Sequence, residues 1–242
     1  MKLDITSASV IGGRDYQEDR QISVKQKNGM LLAVMDGHIG SEVAEMISRL
    51  LPSIFSEELK KCLQAKRAIK LTFDRLNVLT CQKVAGSTLS MAWIDYQKKR
   101  IHVAILGDSP IVIKRPGKKL WISPEHNVRT NIKEREGAVQ RGAHFNGNYI
   151  INPILECGLQ MSRALGDAEM SKYLVREPEI FSFPAERGSV IVIATDGVFD
   201  PSHYNARTMI ESAFSKDDLT ARDLVGGGAH KDNATAIVCK IN

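Results

Sequence analysis

The chain has 242 residues, 43% of them hydrophobic, and a net charge of +5. This is enough apolar material for one large core, and with no internal repeat, low-complexity tract or Pro/Gly/Ser-rich linker a single domain over residues 1–242 is expected. No stretch is long and apolar enough to span a bilayer, and Met1-Lys2-Leu3-Asp4 does not begin a leader peptide, so a soluble, cytoplasmic, monomeric protein without membrane partners is expected.

Cys62, Cys81, Cys157 and Cys239 are far apart with no Cys-x-x-Cys pair, which speaks against a disulfide framework or a structural zinc site. The basic pairs Lys60-Lys61, Lys98-Lys99 and Lys118-Lys119 fall at predicted helix ends and turns. Without interleaved aromatics they read as solvated faces, not a nucleic-acid surface.

Residues Leu3 to Ile11, Gln21 to Lys27 and Met30 to Met35 are predicted strands, the last two joined by the hairpin signal Asn28-Gly29. From Ser41, apolar residues Val43, Ala44, Ile47, Leu50 and Leu51 recur at helical spacing until Pro52. A second helical pattern after Ser56 runs through Leu59, Leu63, Ala68, Leu71, Leu76 and Leu79. Gly86 to Asp95, Arg100 to Leu106, Pro110 to Lys114 and Lys119 to Ile122 form a predicted antiparallel meander. Residues 127–160 are irregular and polar, with one helical piece from Ile132 to Arg141, and read as a flap-like insertion.

Ser189 to Thr195 is another predicted strand, followed by helices near Tyr204 to Phe214 and Thr220 to Gly226 and a closing strand from Ala234 to Lys240. Helices segregated from antiparallel strands suggest an α+β fold with helices covering packed sheets.

Three of the apolar runs end in an acid: Met35-Asp36-Gly37-His38, Gly107-Asp108-Ser109 and Thr195-Asp196-Gly197. Asp232, by contrast, precedes a strand. The end of one strand and the start of its antiparallel neighbour share a sheet edge, so these carboxylates could converge and hold Mg²⁺ or Mn²⁺. Singly, each Asp-Gly or Asp-Asn reads first as a turn.

Read together, the surrounding motifs resemble the metal-dependent protein serine/threonine phosphatases of type 2C. The resemblance rests on Arg14-Asp15-Tyr16-Gln17-Glu18-Asp19, Asp36-Gly37-His38-Ile39-Gly40, Gly86-Ser87-Thr88 and Gly107-Asp108-Ser109. It continues through Ser162-Arg163-Ala164-Leu165-Gly166-Asp167, Asp196-Gly197-Val198-Phe199-Asp200 and Asp232-Asn233, in the family's order.

The resemblance implies a four-layer α-β-β-α sandwich with a metal centre at one end and phosphorylated proteins as substrates. It implies two Mn²⁺ or Mg²⁺ ions: Asp36 bridging them, the Gly37 carbonyl on one, Asp196 and Asp232 on the other, and Glu18 acting mainly through water. Asp108 and Asp196 would hold the weaker third ion seen in family members. Asp19, Thr88 and Asn233 would orient these groups. In that scheme a metal-bridging hydroxide attacks phosphorus directly, Arg14 grips the phosphate and His38 protonates the leaving alkoxide.

Two departures stand out. Ile39 replaces a glycine of the family pattern, where a branched residue cannot take positive φ cheaply, and Pro110 follows Gly107-Asp108-Ser109 where arginine is common. Glu125-His126 stands where the family often has Asp-His, which weakens any acid/base role for His126. Two other functions compete. Cys157 and Arg163 have the Cys-x5-Arg spacing of thiolate phosphatases, though Leu159 and Met161 alternate like strand residues. An inactive relative serving as a phosphoprotein-binding module is the different-class alternative, and the retained acids argue against it.

Overall fold

Along strand Arg100–Leu106, Ile101, Val103 and Ile105 enter one apolar compartment while Ala104 and Leu106 enter another. Strand Gly29–Met35 does the same, with Leu32 and Val34 on one side and Leu31, Ala33 and Met35 on the other. A sheet buried on both faces needs a layer on each, which explains why these strands read as continuous apolar runs. The computed structural model describes residues 1–62, 64–200, 202–216, 218–226 and 230–242; Leu63 of the second helical pattern lies outside them.

Two five-stranded antiparallel sheets face each other. From edge to edge the first runs Glu179–Pro184, Arg100–Leu106, Leu89–Asp95, Gly29–Met35 and Arg20–Gln26. The second runs Leu3–Val10, Ala234–Ile241, Val190–Ala194, Ile111–Lys114 and Trp121–Ile122. Between them lie Ile105, Ile113, Ile193 and Ile237 among others. Helices Glu42–Cys62 and Ala65–Thr80 cover the first sheet through Ile47, Leu51, Ile69 and Phe73. The short helices Asp196–Phe199, Ala206–Ala213 and Ala221–Val225 cover the second through Phe199, Ile210 and Leu224. The fold is therefore an α+β, four-layer α-β-β-α sandwich.

Several boundaries differ from expectation. Pro52 does not end the first helix, which continues to Cys62. An interior proline costs about 3 kcal/mol, but the buried stripe runs on past it through Ile54 and Phe55. Fully burying one such side chain is worth about 1.5–3 kcal/mol, so two offset the break. The second helix consequently starts at Ala65, not after Ser56. The expected strand from Gly86 to Asp95 is split at Thr88, whose backbone N–H bonds the Asp36 carbonyl instead of a ladder partner.

Strand Glu179–Pro184 was not anticipated. It is an edge strand with no fully buried residue, ending in a proline that an edge tolerates. Its Phe181 and Phe183 rings pack on Trp121 at 5.2 and 4.7 Å, closing the gap between the sheets at that side.

Residues 127–160 contain helix Ile132–Gln140 and the short strands His144–Phe145, Ile150–Ile151 and Gly158–Leu159, which pair into a small sheet. The apolar cluster under this sheet, including Val128, Ala138 and Ile150, also takes in Ala164, Met170 and Tyr173. His102 lies on a sheet face, its Nδ1 2.7 Å from Ser182 Oγ, and burial depresses its pKa to about 4.

Candidate metal and phosphate site

The topology brings the acids together. Strands Gly29–Met35 and Arg100–Leu106 are separated by one antiparallel strand and so run the same way, ending at one edge of the first sheet with Asp36 and Asp108. Val190–Ala194 and Ala234–Ile241 are antiparallel neighbours in the second sheet, placing Asp196 after one and Asp232 before the other at the same edge. Burial and the charges of Asp196, Asp19 and Asp108 push the Asp36 carboxyl well above the usual range. Asp19, held by Thr195 Oγ1 at 2.9 Å, is pushed to about 7, chiefly by burial, with Asp196 and Asp232 adding repulsion.

Backbone contacts fix these acids. Asp36 N donates to Thr88 Oγ1 at 3.1 Å, and the Thr88 hydroxyl lies 2.9 Å from Ser109 Oγ, tying the loops that carry Asp36 and Asp108. Asn233 Nδ2 donates to the carbonyls of Ile11 and Tyr16, while its Oδ1 accepts from Glu18 N at 2.8 Å. Asn233 thereby anchors the Arg14 to Asp19 loop beside Asp232. Glu18 Oε1 in turn accepts from Gly40 N at 2.5 Å. Gly37 has no room for a side chain: a Cβ there would meet the Glu18 carbonyl oxygen at 2.6 Å.

Arg14 is half-exposed and donates through Nη2 to Asp232 Oδ2 at 2.8 Å. This pairing joins residues 218 apart in the chain. One donor of the guanidinium serves Asp232, and the planar fork carries five.

Sequence reasoning missed His203. It is buried, in the left-handed region at φ 64°, with Nδ1 2.9 Å from Glu125 Oε2 and Nε2 3.3 Å from Asp196 Oδ2. Burial opposes its charge, but Asp196, Glu125 and Asp108 raise its pKa to about 10. Conversely, burial would lift Asp196, yet its close contact with the charged His203 ring holds it below the ordinary value. Asn127 Nδ2 donates to Asp108 Oδ2 at 2.8 Å, a contact also missed.

His38 Nε2 lies 2.8 Å from Asp167 Oδ1. Burial would lower the histidine's pKa, but the Asp167 charge and hydrogen bond carry it above the ordinary value. Gly86 makes this approach possible, since a Cβ there would sit 2.1 Å from Asp167 Oδ2 and 2.2 Å from His38 Nε2. Asp167 belongs to a motif noticed in the sequence, but its partner lies 129 residues away.

The donor set fits hard divalent cations: carboxylates and a backbone carbonyl, several buried, with Asp19 Oδ1 and Asp108 Oδ1 making no hydrogen bond. Uncompensated, such a cluster is repulsive.

Residues 7–223 match the family described as protein phosphatase 2C. The chain belongs to that family. It is 30% identical over 254 residues to the Arabidopsis thaliana protein named probable protein phosphatase 2C 69, covering 99% of this chain and 70% of that one. It is 24% identical to Bos taurus protein phosphatase 1L over 96% of this chain and 71% of that one. Among solved structures, a serine-threonine phosphatase 2C from Toxoplasma gondii superposes with a TM-score of 0.75 at 20% identity, covering 98% of this chain and 94% of that one. The catalytic domain of PstP, solved with two manganese ions, gives 0.62 at 19% identity, with 99% of each chain covered. These two likenesses show the fold.

Against the protein phosphatase 2C pattern, Ile39 keeps the left-handed backbone it was expected to resist, at φ 58° and 63% exposed. For an L-residue this costs roughly 1–2 kcal/mol, and so exposed a side chain recovers little by packing. Ile39→Gly is therefore expected to stabilise the metal-free chain by about 1 kcal/mol, after the greater unfolded freedom of glycine is subtracted. Urea unfolding measures this; an unchanged or lower midpoint would mean the Ile39 side chain holds the turn. Pro110 is accommodated, its carbonyl accepting from Ala194 N at 3.1 Å.

His126 is buried and structural in its contacts, Nδ1 accepting from Gly107 N at 3.0 Å and Nε2 3.3 Å from Glu179. Burial pushes the Cys157 thiol up, and Arg163 pairs with Glu134 instead of closing a loop around that sulfur, so the thiolate alternative has no geometry to support it. All four cysteines are free thiols. Among the described residues no helix is long and apolar enough to cross a membrane.

Proposed function

We propose that the chain hydrolyses phosphoserine and phosphothreonine in proteins, dependent on Mn²⁺ or Mg²⁺ and without a phosphoenzyme intermediate. The observation that carries this is the meeting of Asp36, Asp108 and Asp196 with Asp232 and Glu18 at one end of the sandwich, in a chain of the protein phosphatase 2C family. Asp36, the Gly37 carbonyl, Asp196, Asp232 and Glu18 would hold two ions, and Asp108 with Asp196 a weaker third. When bound, such ions acidify water into a nucleophile at neutral pH and offset charge on the phosphoryl oxygens.

The chain's own residues supply the rest. Arg14, already at Asp232, presents the remaining donors of its fork to phosphate oxygens. His38 holds a proton for the departing serine or threonine oxygen, and Asp167 keeps the ring in place. Thr88 and Asn233 fix the backbone around Asp36 and Glu18, and Asp19 braces Thr195 next to Asp196. The segment 127–160 is assigned a part in choosing among phosphoproteins, because its Asn127 reaches Asp108 while its Ile132, Tyr149, Ile154 and Leu155 side chains are exposed.

The test is hydrolysis of a phosphothreonine peptide after EDTA stripping. No turnover is expected until Mn²⁺ or Mg²⁺ is restored, and iodoacetamide should leave the restored activity intact. Turnover that survives EDTA and disappears on alkylation would overturn the proposal.

A further inference from the structure

Asp108, Asp196 and His203 each offer one ligand atom within 4.8 Å of the others. His203 is only 7% exposed, and its Nε2 lies 3.3 Å from Asp196 Oδ2 and 3.6 Å from Asp108 Oδ2. It makes a well-aligned hydrogen bond to neither, and Asp108 Oδ1, equally buried, also has no partner. The other ring nitrogen, Nδ1, lies against Glu125 Oε2 at 2.9 Å. In the metal-free chain the protonated ring is itself the cation between these acids; an ion entering there displaces the Nε2 proton, while the proton on Nδ1 keeps the Glu125 contact. With that proton displaced, Nε2 and the two carboxylates are three acceptors converging on one buried point, the donor set of a cation site.

A carboxylate on one ring nitrogen with the other turned toward acids is the arrangement that orients metal-binding histidines and fixes their tautomer. A cavity of about 300 Å³ lined by Asp108, Glu125, Asp196 and His203 gives access from outside. We infer that His203 Nε2 is a protein ligand to a metal ion held jointly with Asp108 and Asp196, with Glu125 as its orienting carboxylate. The inference rests on reading the strand-end acids as a metal centre, and it adds to that reading a nitrogen donor. Imidazole suits Zn²⁺ and other later transition ions better than Mg²⁺, so this position, unlike an all-oxygen one, favours a transition metal.

The other buried histidine cluster, His126 with Glu134 and Glu179, differs in this respect. Arg163 already occupies it, bonded to Glu134, so no uncompensated acceptors remain there to recruit an ion.

The test follows the histidine ring nitrogens in ¹⁵N-histidine-labelled, metal-stripped full chain during titration with Zn²⁺ alone. One Nε2 resonance, absent from His203→Asn, is expected to move to a metal-bound position. Asparagine tolerates positive φ, so that variant keeps the backbone. In equilibrium dialysis His203→Asn should lose about tenfold or more of its Zn²⁺ affinity at one site per chain, with Mg²⁺ binding changed less, and Glu125→Gln should fall between. Zn²⁺ bound without movement of the His203 resonance, or with equal affinity in His203→Asn, would make His203 a charge partner only and overturn the inference alone. Failure of any ion to bind would overturn the metal centre with it.

Discussion

Asp36→Asn and Asp196→Asn should each lower Mn²⁺-dependent turnover of a phosphothreonine peptide by about a thousandfold or more, roughly 4 kcal/mol of transition-state stabilisation, while Asp36→Asn alone should make the metal-free protein more stable. The two signs have one cause. In the metal-free chain the Asp36 carboxyl is pushed well above the ordinary range by burial and by Asp196, Asp19 and Asp108. A carboxyl whose folded pKa exceeds its unfolded one stabilises the fold at low pH. That contribution disappears as pH rises from the unfolded value, about 3.9, through the folded value.

Asparagine cannot ionise, and its amide can still donate to Asp196 where the protonated Asp36 carboxyl does. The metal-free Asp36→Asn variant should thus melt above wild type at pH 7.5, with the gap closing toward pH 4. Adding Mn²⁺ should reverse the order, because only wild type gains the full binding energy. Thermal unfolding with and without Mn²⁺ measures both effects. Wild type and variant melting together in both conditions, with equal turnover, would mean that Asp36 neither repels its neighbours nor holds an ion.

What the sequence made legible was what depends on local pattern. Apolar runs such as Leu31 to Met35 and Val190 to Ala194 identify strands because their residues are buried on both faces, and the acids following them mark the sheet edge. The family motifs named Arg14, Glu18, Asp36, His38, Asp108, Asp196 and Asp232, and the fold brings them to one end. Less legible was whatever tertiary burial decides. Pro52 is a local stop signal overridden by the buried Ile54 and Phe55. Glu179–Pro184 alternates weakly because it lies at an edge. His203 has no spacing that relates it to Asp108, 95 residues earlier, and only its nearness to Asp196 and Asp200 could have drawn notice. Arg14 was assigned a phosphate, but its pairing with Asp232 needs two distant loops to meet.

Removing the Asp167 carboxylate should slow the phosphothreonine peptide by about a hundredfold, as expected for loss of general acid catalysis, and p-nitrophenyl phosphate by only a few-fold. The difference lies in the leaving groups. A threonine alkoxide needs a proton as it departs, whereas p-nitrophenolate departs without one. His38 Nε2 lies 2.8 Å from Asp167 Oδ1, and the interaction outweighs burial in raising the histidine's pKa, which keeps the ring protonated to higher pH. Asp167→Asn retains the residue's left-handed backbone at φ 51°, which asparagine also adopts, so the loss is of charge and not of fold.

With the charge gone, the His38 pKa falls. The alkaline limb of kcat for the peptide, which reports loss of the acid's proton, should shift to lower pH, whereas KM changes little. Gly86→Ala supplies an independent route to the same end, because a methyl 2.2 Å from His38 Nε2 must separate the ring from Asp167. It should copy the peptide-selective loss without touching any carboxylate proposed to hold metal. His38→Ala sets the limit for both. Should the three variants slow p-nitrophenyl phosphate as much as the peptide, with no displacement of the alkaline limb, His38 would serve the geometry of the Asp36 loop, and the proton for the leaving group would have to come from solvent.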